Sequence, residues 1–155
     1  MIRIAPLTLV LAVAACSSTG PTASLSPSSS SDVGEWHEPT AYSFTLDSSC
    51  GERDLLGVFR VEVQSGMVVS VEGLDEAGRR YVTSRSSDGR IVGGVPTLAG
   101  LLDEARGARA DGADVVLVSY DPTDGYPVSI DIDWAAEAID DEACYSISDF
   151  VGPTG

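Results

Sequence analysis

Apolar and polar side chains alternate with period two through several stretches between residues 42 and 132. That pattern constrains the fold more than any other feature, because only a strand sends successive side chains to opposite faces. Tyr42, Phe44 and Leu46 project to one side of a first strand. Val58 to Val63 forms a second, with Phe59, Val61 and Val63 on one face and Arg60 and Glu62 on the other. Gln64-Ser65-Gly66 supplies a short turn, and Met67 to Glu72 returns as a hairpin partner, predicted to point Met67, Val69 and Val71 inward. Residues 73–95 are rich in Gly, Ser, Asp and Arg, and only short edge segments are expected there, at Tyr81, Val82, Ile91 and Val92.

The period then changes. Leu98, Leu101, Leu102 and Ala105 recur at i, i+3, i+4 and i+7 behind Thr97, a cap residue, so a helix is predicted to begin there and to stop at Gly112. Gly100 and Gly107 each weaken it by roughly 1 kcal/mol relative to Ala, so packing on a sheet must hold it. Val115 to Tyr120 is a further strand, Asp121-Pro122-Thr123-Asp124-Gly125 a turn, and Val128, Ile130 and Ile132 alternate in the return strand. Pro127 restricts its position to a strand start or an edge. Trp134 to Ile139 reads as a loop or helical turn, and Cys144 to Phe150 as the last strand. The order β-β-β-α-β-β-β predicts an α+β fold, an antiparallel sheet of about six strands with one helix packed on a face.

None of this involves the first 34 residues. Met1-Ile2-Arg3 precedes an apolar run of twelve residues, Ile4 to Ala15, too short for a bilayer-spanning helix of about 20 residues and suited to a signal peptide. The run ends in Val13-Ala14-Ala15-Cys16, which resembles the lipobox of bacterial lipoproteins. That resemblance implies cleavage before Cys16 and lipidation of its sulfur. Residues 17–32 are dominated by Ser, Pro, Thr and Gly, with Leu25 the one large apolar residue, a composition that makes a flexible tether reaching roughly 20–25 Å. The expected organisation is a signal peptide over 1–15, lipidated Cys16 and tether over 16–34, and a single α+β domain over 35–152. A unit of that size buries a core without help from a metal. The location that follows is the extracytoplasmic face of the cell membrane.

Such a compartment keeps disulfides. Cys50 and Cys144 are the cysteines left after Cys16, and a bond between them is expected, with two free buried thiols as the competing reading. No Cys-x-x-Cys occurs, which argues against a redox-active pair.

The order of features also resembles a catalogued family. Tyr42-Ser-Phe-Thr-Leu runs toward Cys50-Gly51, Val61-Glu-Val-Gln-Ser-Gly-Met-Val precedes the helix, and Val118-Ser-Tyr-Asp-Pro-Thr-Asp-Gly-Tyr-Pro precedes Ile130-Asp-Ile-Asp and Asp140-Asp-Glu. Over most of 40–150 this resembles an actinobacterial lipoprotein family, domain of unknown function 6174. The resemblance implies a fold and a location, and no catalytic role. Arg as the chain's only Lys/Arg-type cation, and the lack of Asn, fit a GC-rich genome of that kind.

Charge narrows the function classes. The chain has 24 acids against 9 Arg, a formal charge of -15. Nucleic acid and anionic lipid both need a positive face, so neither is an expected partner. After Arg109 there is no base, while eleven acids occupy the last 46 residues. Asp131 and Asp133 share a strand face, and Asp140, Asp141 and Glu142 follow on a loop able to fold back toward them. Hard cations take several oxygens at one point, so these five carboxylates form a candidate Ca²⁺ site, with a solvated acidic surface as the plainer reading. No other cofactor is expected. Hydrolytic chemistry would have to use the only His, His37, read as a surface residue; no Gly-x-Ser-x-Gly elbow exists. Trp36, Tyr42, Tyr120, Tyr126 and Trp134 are either a ligand face or core and rim aromatics. The expectation is a non-enzymatic, membrane-anchored module that binds an unidentified envelope protein or ligand. A cation-responsive domain is the alternative.

Overall fold

The computed structural model describes residues 36–87, 90–91 and 94–153. The signal peptide, Cys16 and the tether lie outside the described residues, as does Val92. The sheet has six strands: β1 (Ala41–Ser49), β2 (Gly57–Gln64), β3 (Met67–Gly73) and, later in the chain, β6 (Val115–Tyr120), β7 (Pro127–Asp133) and β8 (Ala143–Val151). Between β3 and β6 come α1 (Glu76–Arg85), the two-residue strands β4 (Ser86–Ser87) and β5 (Arg90–Ile91), and α2 (Leu98–Asp111). Every pairing in the six-stranded sheet is antiparallel, in the spatial order β3-β2-β1-β8-β7-β6. The last strand therefore sits in the middle, beside the first. The chain makes one hairpin stack, leaves to build its helices, and returns from the far edge inward.

One sheet face is buried. Phe44, Leu46, Phe59, Val61, Ile130 and Ile132 are sealed there against Leu98, Leu101, Leu102 and Ala105 of α2. The alternation in β1, β2 and β7 is thus the imprint of a sheet covered on one side. In β3 the inward set differs from expectation. A bulge between Glu62 and Val63 opposes an extra residue of β3 to β2. Val68 and Val71 pack against the core, while Met67 and Val69 are exposed. A bulge moves every side chain beyond it to the other face, and no composition rule marks where it falls.

Two helices cover the sheet, not one. α1 packs on β2 and β3, α2 on β6 and β7. The segment expected to hold only edge strands folds as α1, because Asp75 caps it: its Oδ1 accepts from Gly78 N at 2.7 Å and from Val58 N at 3.0 Å. These backbone donors, that of Val58 foremost, hold the Asp75 carboxyl below its ordinary pKa. α1 buries only Gly78 and Tyr81, so it lacks the apolar stripe that reveals α2. It is instead held by close approach. A Cβ on Gly78 would lie 2.5 Å from the Val58 carbonyl oxygen, and one on Gly73 would lie 2.3 Å from Arg79 N.

α2 begins and ends as expected. Thr97 accepts from Gly100 N, and Gly112 closes the helix at φ 90°. Its first turn has two further acceptors: the Tyr42 hydroxyl takes Leu98 N at 3.0 Å, and Glu38 Oε1 takes Ala99 N at 3.2 Å. Pro127 opens β7, an internal strand, which is the start position that proline tolerates. Cys50 and Cys144 form a disulfide at the end of β1, where Ser49 already pairs with Cys144.

Candidate functional site

At the opposite end of β1 the chain enters and leaves the domain, and there the surface opens into a cleft of about 810 Å³. Trp36, His37 and Pro39 come from the incoming segment, Tyr120 from the end of β6, Asp124 from the β6–β7 connection, and Phe150 from β8. The wall is a run of rings in contact. Trp36 meets Tyr42 edge-on at 6.0 Å, Tyr42 lies 5.7 Å from Phe150, and Tyr126 stacks on Phe150 at 4.4 Å. Aromatic pairs in this range stabilise by roughly 0.5–1.5 kcal/mol beyond their buried area.

The rim is acidic. Asp121 shapes it: its Oδ1 accepts from Thr123 N and Asp124 N, both at 2.8 Å, and Gly125 turns the chain at φ 71°. Burial raises the Tyr126 pKa, and the negative charges of Asp121, Asp124 and Asp149 raise it further. This end of the molecule therefore pairs apolar ring faces with carboxylates. Such a surface suits a ring-bearing ligand with hydroxyl or amine groups and repels anions.

Of the five candidate aromatics, Trp36 and Tyr120 line the cleft. Tyr42 is a core residue behind it, and Tyr126 supports Phe150. Trp134 does not line the cleft; it is exposed on the connection after β7. His37 is exposed, as expected, but stands on the cleft. Spacing does not mark Phe150 as a wall residue, because only strand order brings it to Tyr126. Glu38 was also missed: it accepts from the Tyr42 hydroxyl at 2.5 Å and caps α2, a role visible only once the segment folds over the helix.

The acidic candidates are not gathered. Among the described residues no three His, Cys, Asp or Glu side chains form a group fit to hold a metal ion. Asp131 and Asp133 do share one face of β7. Residues 140–142 return to β7 ahead of β8, whose Ala143 pairs with Ile132, but they are held by backbone contacts elsewhere. Asp140 O accepts from Glu52 N at 2.9 Å, and Gly51 lies against Glu142 O so closely that a Cβ there would be 2.0 Å away. These backbone contacts pin the acidic loop to the turn beside the disulfide. Asp133 and Asp141 each bury one carboxylate oxygen without a hydrogen-bond partner, and two oxygens fall short of the roughly six to eight that Ca²⁺ takes.

A family model described as a family of unknown function (DUF6174) matches residues 32–152. No curated protein and no solved structure matches the chain.

Proposed function

The chain belongs to the family of unknown function DUF6174, and from that premise we propose that it is a lipid-anchored, extracytoplasmic binding module, non-catalytic, whose ligand occupies the cleft walled by Trp36, Tyr120 and Phe150. The observation that carries this reading is the joined aromatic wall with its acidic rim. The ligand class it favours is a neutral or positively charged ring, such as a sugar or amino sugar of the envelope. The apolar ring face stacks on the aromatics, and the hydroxyl or amine groups meet Asp124 and its neighbours.

Titration of the full chain with envelope glycan fragments and amino sugars, followed by isothermal titration calorimetry, tests the cleft. Trp36→Ala is expected to weaken binding about tenfold or more while leaving the circular dichroism spectrum unchanged. Equal affinity in the variant removes the cleft as the site. The anchor has a separate readout. Cys16→Ser is expected to shift the protein from the membrane fraction to the soluble one, and retention in the membrane fraction refutes lipidation.

A further inference from the structure

The domain has a second concavity of opposite character. We propose that the groove between residues 53–56 and helix α1 binds a small organic anion, one carboxylate or phosphate group on a short apolar body. The groove measures about 350 Å³, and Arg53, Arg80 and Arg85 line it. A chain with 24 acids and only 9 Arg thus places three of its cations in one groove. Helical spacing does this for α1, where Ala77, Arg80, Tyr81 and Ser84 fall on one stripe and all line the groove.

Two groups there lack partners that their chemistry calls for. Arg53 donates through Nη1 to the Tyr145 hydroxyl at 2.8 Å and through Nη2 to Ser48 Oγ at 2.7 Å, and its guanidinium lies 4.3 Å from the Tyr145 ring centre. Its Nε is buried with no acceptor. A buried donor without an acceptor is unfavourable. Arg80 makes no ion pair or hydrogen bond among the described residues. It is an exposed guanidinium at the same groove.

The neighbouring carboxylates do not fill these needs. Asp54 is held by Arg85 at 2.5 Å, and Glu104 lies 4.0 Å from Arg53 while accepting from the Tyr145 hydroxyl. Both members of the Arg85–Asp54 pair are solvent-exposed, and such pairs are weak enough to exchange partners. Guanidinium forks match the two-oxygen edge of a carboxylate or phosphate. Leu56, Ala77 and Tyr81 provide the apolar floor for the rest of the ligand. The charge preference is the reverse of the aromatic cleft, so this site stands or falls independently of it.

The test uses the full chain in nonionic detergent at low salt. Phenyl phosphate and benzoate are titrated while the Arg53 Nε–H NMR signal is followed, with benzyl alcohol as the neutral control. The expected result is a saturable shift with either anion at about millimolar concentration, weakened roughly fivefold or more by Arg80→Gln and unchanged by Trp36→Ala. Arg80 is exposed, so its replacement leaves the fold intact. Absence of a saturable shift up to about 20 mM, equal affinity in Arg80→Gln, or equal binding of benzyl alcohol overturns the proposal.

Discussion

Replacing Cys50 and Cys144 together by Ser is expected to destabilise the domain by about 4–5 kcal/mol, a large part of the total for a domain of this size. The two residues are 94 apart in sequence. Their bond joins the end of β1 to the start of β8, so the closed loop contains both helices and every strand between them. Cutting it returns the full closure entropy to the unfolded chain without removing a core side chain. Urea unfolding of the wild-type chain and of the double variant measures the loss, and the denaturant slope should rise because the uncrosslinked chain expands more. A difference below about 1 kcal/mol would show that the bond is incidental to stability.

Alkaline pH should act nearly as strongly. The Tyr42 hydroxyl is buried and donates to Glu38, and the Tyr145 hydroxyl is buried and donates to Glu104. Burial first, and the adjacent carboxylate second, raise both phenols well above their ordinary pKa. The folded state therefore keeps these two protons after the unfolded state has released them near pH 10. Below that pH their contribution is fully present; above it, stability falls as pH rises, by about 1.4 kcal/mol per pH unit for each group. Chemical denaturation between pH 9 and 11.5, roughly, should show a combined slope near 2.7 kcal/mol per unit above pH 10. Tyr145→Phe should halve that slope. A flat profile would mean that these hydroxyls ionise in the folded protein.

Much of the fold was readable in advance, and for one reason. A sheet buried on one face stamps period two on its strands, so Phe44, Leu46, Phe59, Val61, Ile130 and Ile132 were identifiable as core from spacing. α2 was readable because its Leu stripe has period 3.6 and Thr97 caps it. α1 was not, since it is held by backbone closeness at Gly73 and Gly78 rather than by apolar side chains. Period two alone predicts Met67 and Val69 inward, because a bulge leaves no compositional trace.

The candidate site divides along the same line. Residue chemistry marks Trp36 and Tyr120 as candidate ligand-face aromatics, but spacing does not say which rings meet. Strand order decided it by placing β8 beside β1 and β7, which carries Phe150 to Tyr126 and Tyr42. The acids of 131–142 form no group of three fit for a metal among the described residues, and the loop after β7 is tied by its backbone to Gly51 and Glu52. The strand order also drew Arg53 from a loop toward Arg80 and Arg85 of a helix the sequence does not advertise. Sequence alone determined the strands, the Leu-striped helix and a strongly negative charge, because periodicity and composition are local or summed properties. Which side chains share a cleft depends on contacts between residues far apart in the chain, and only the tertiary structure decided that.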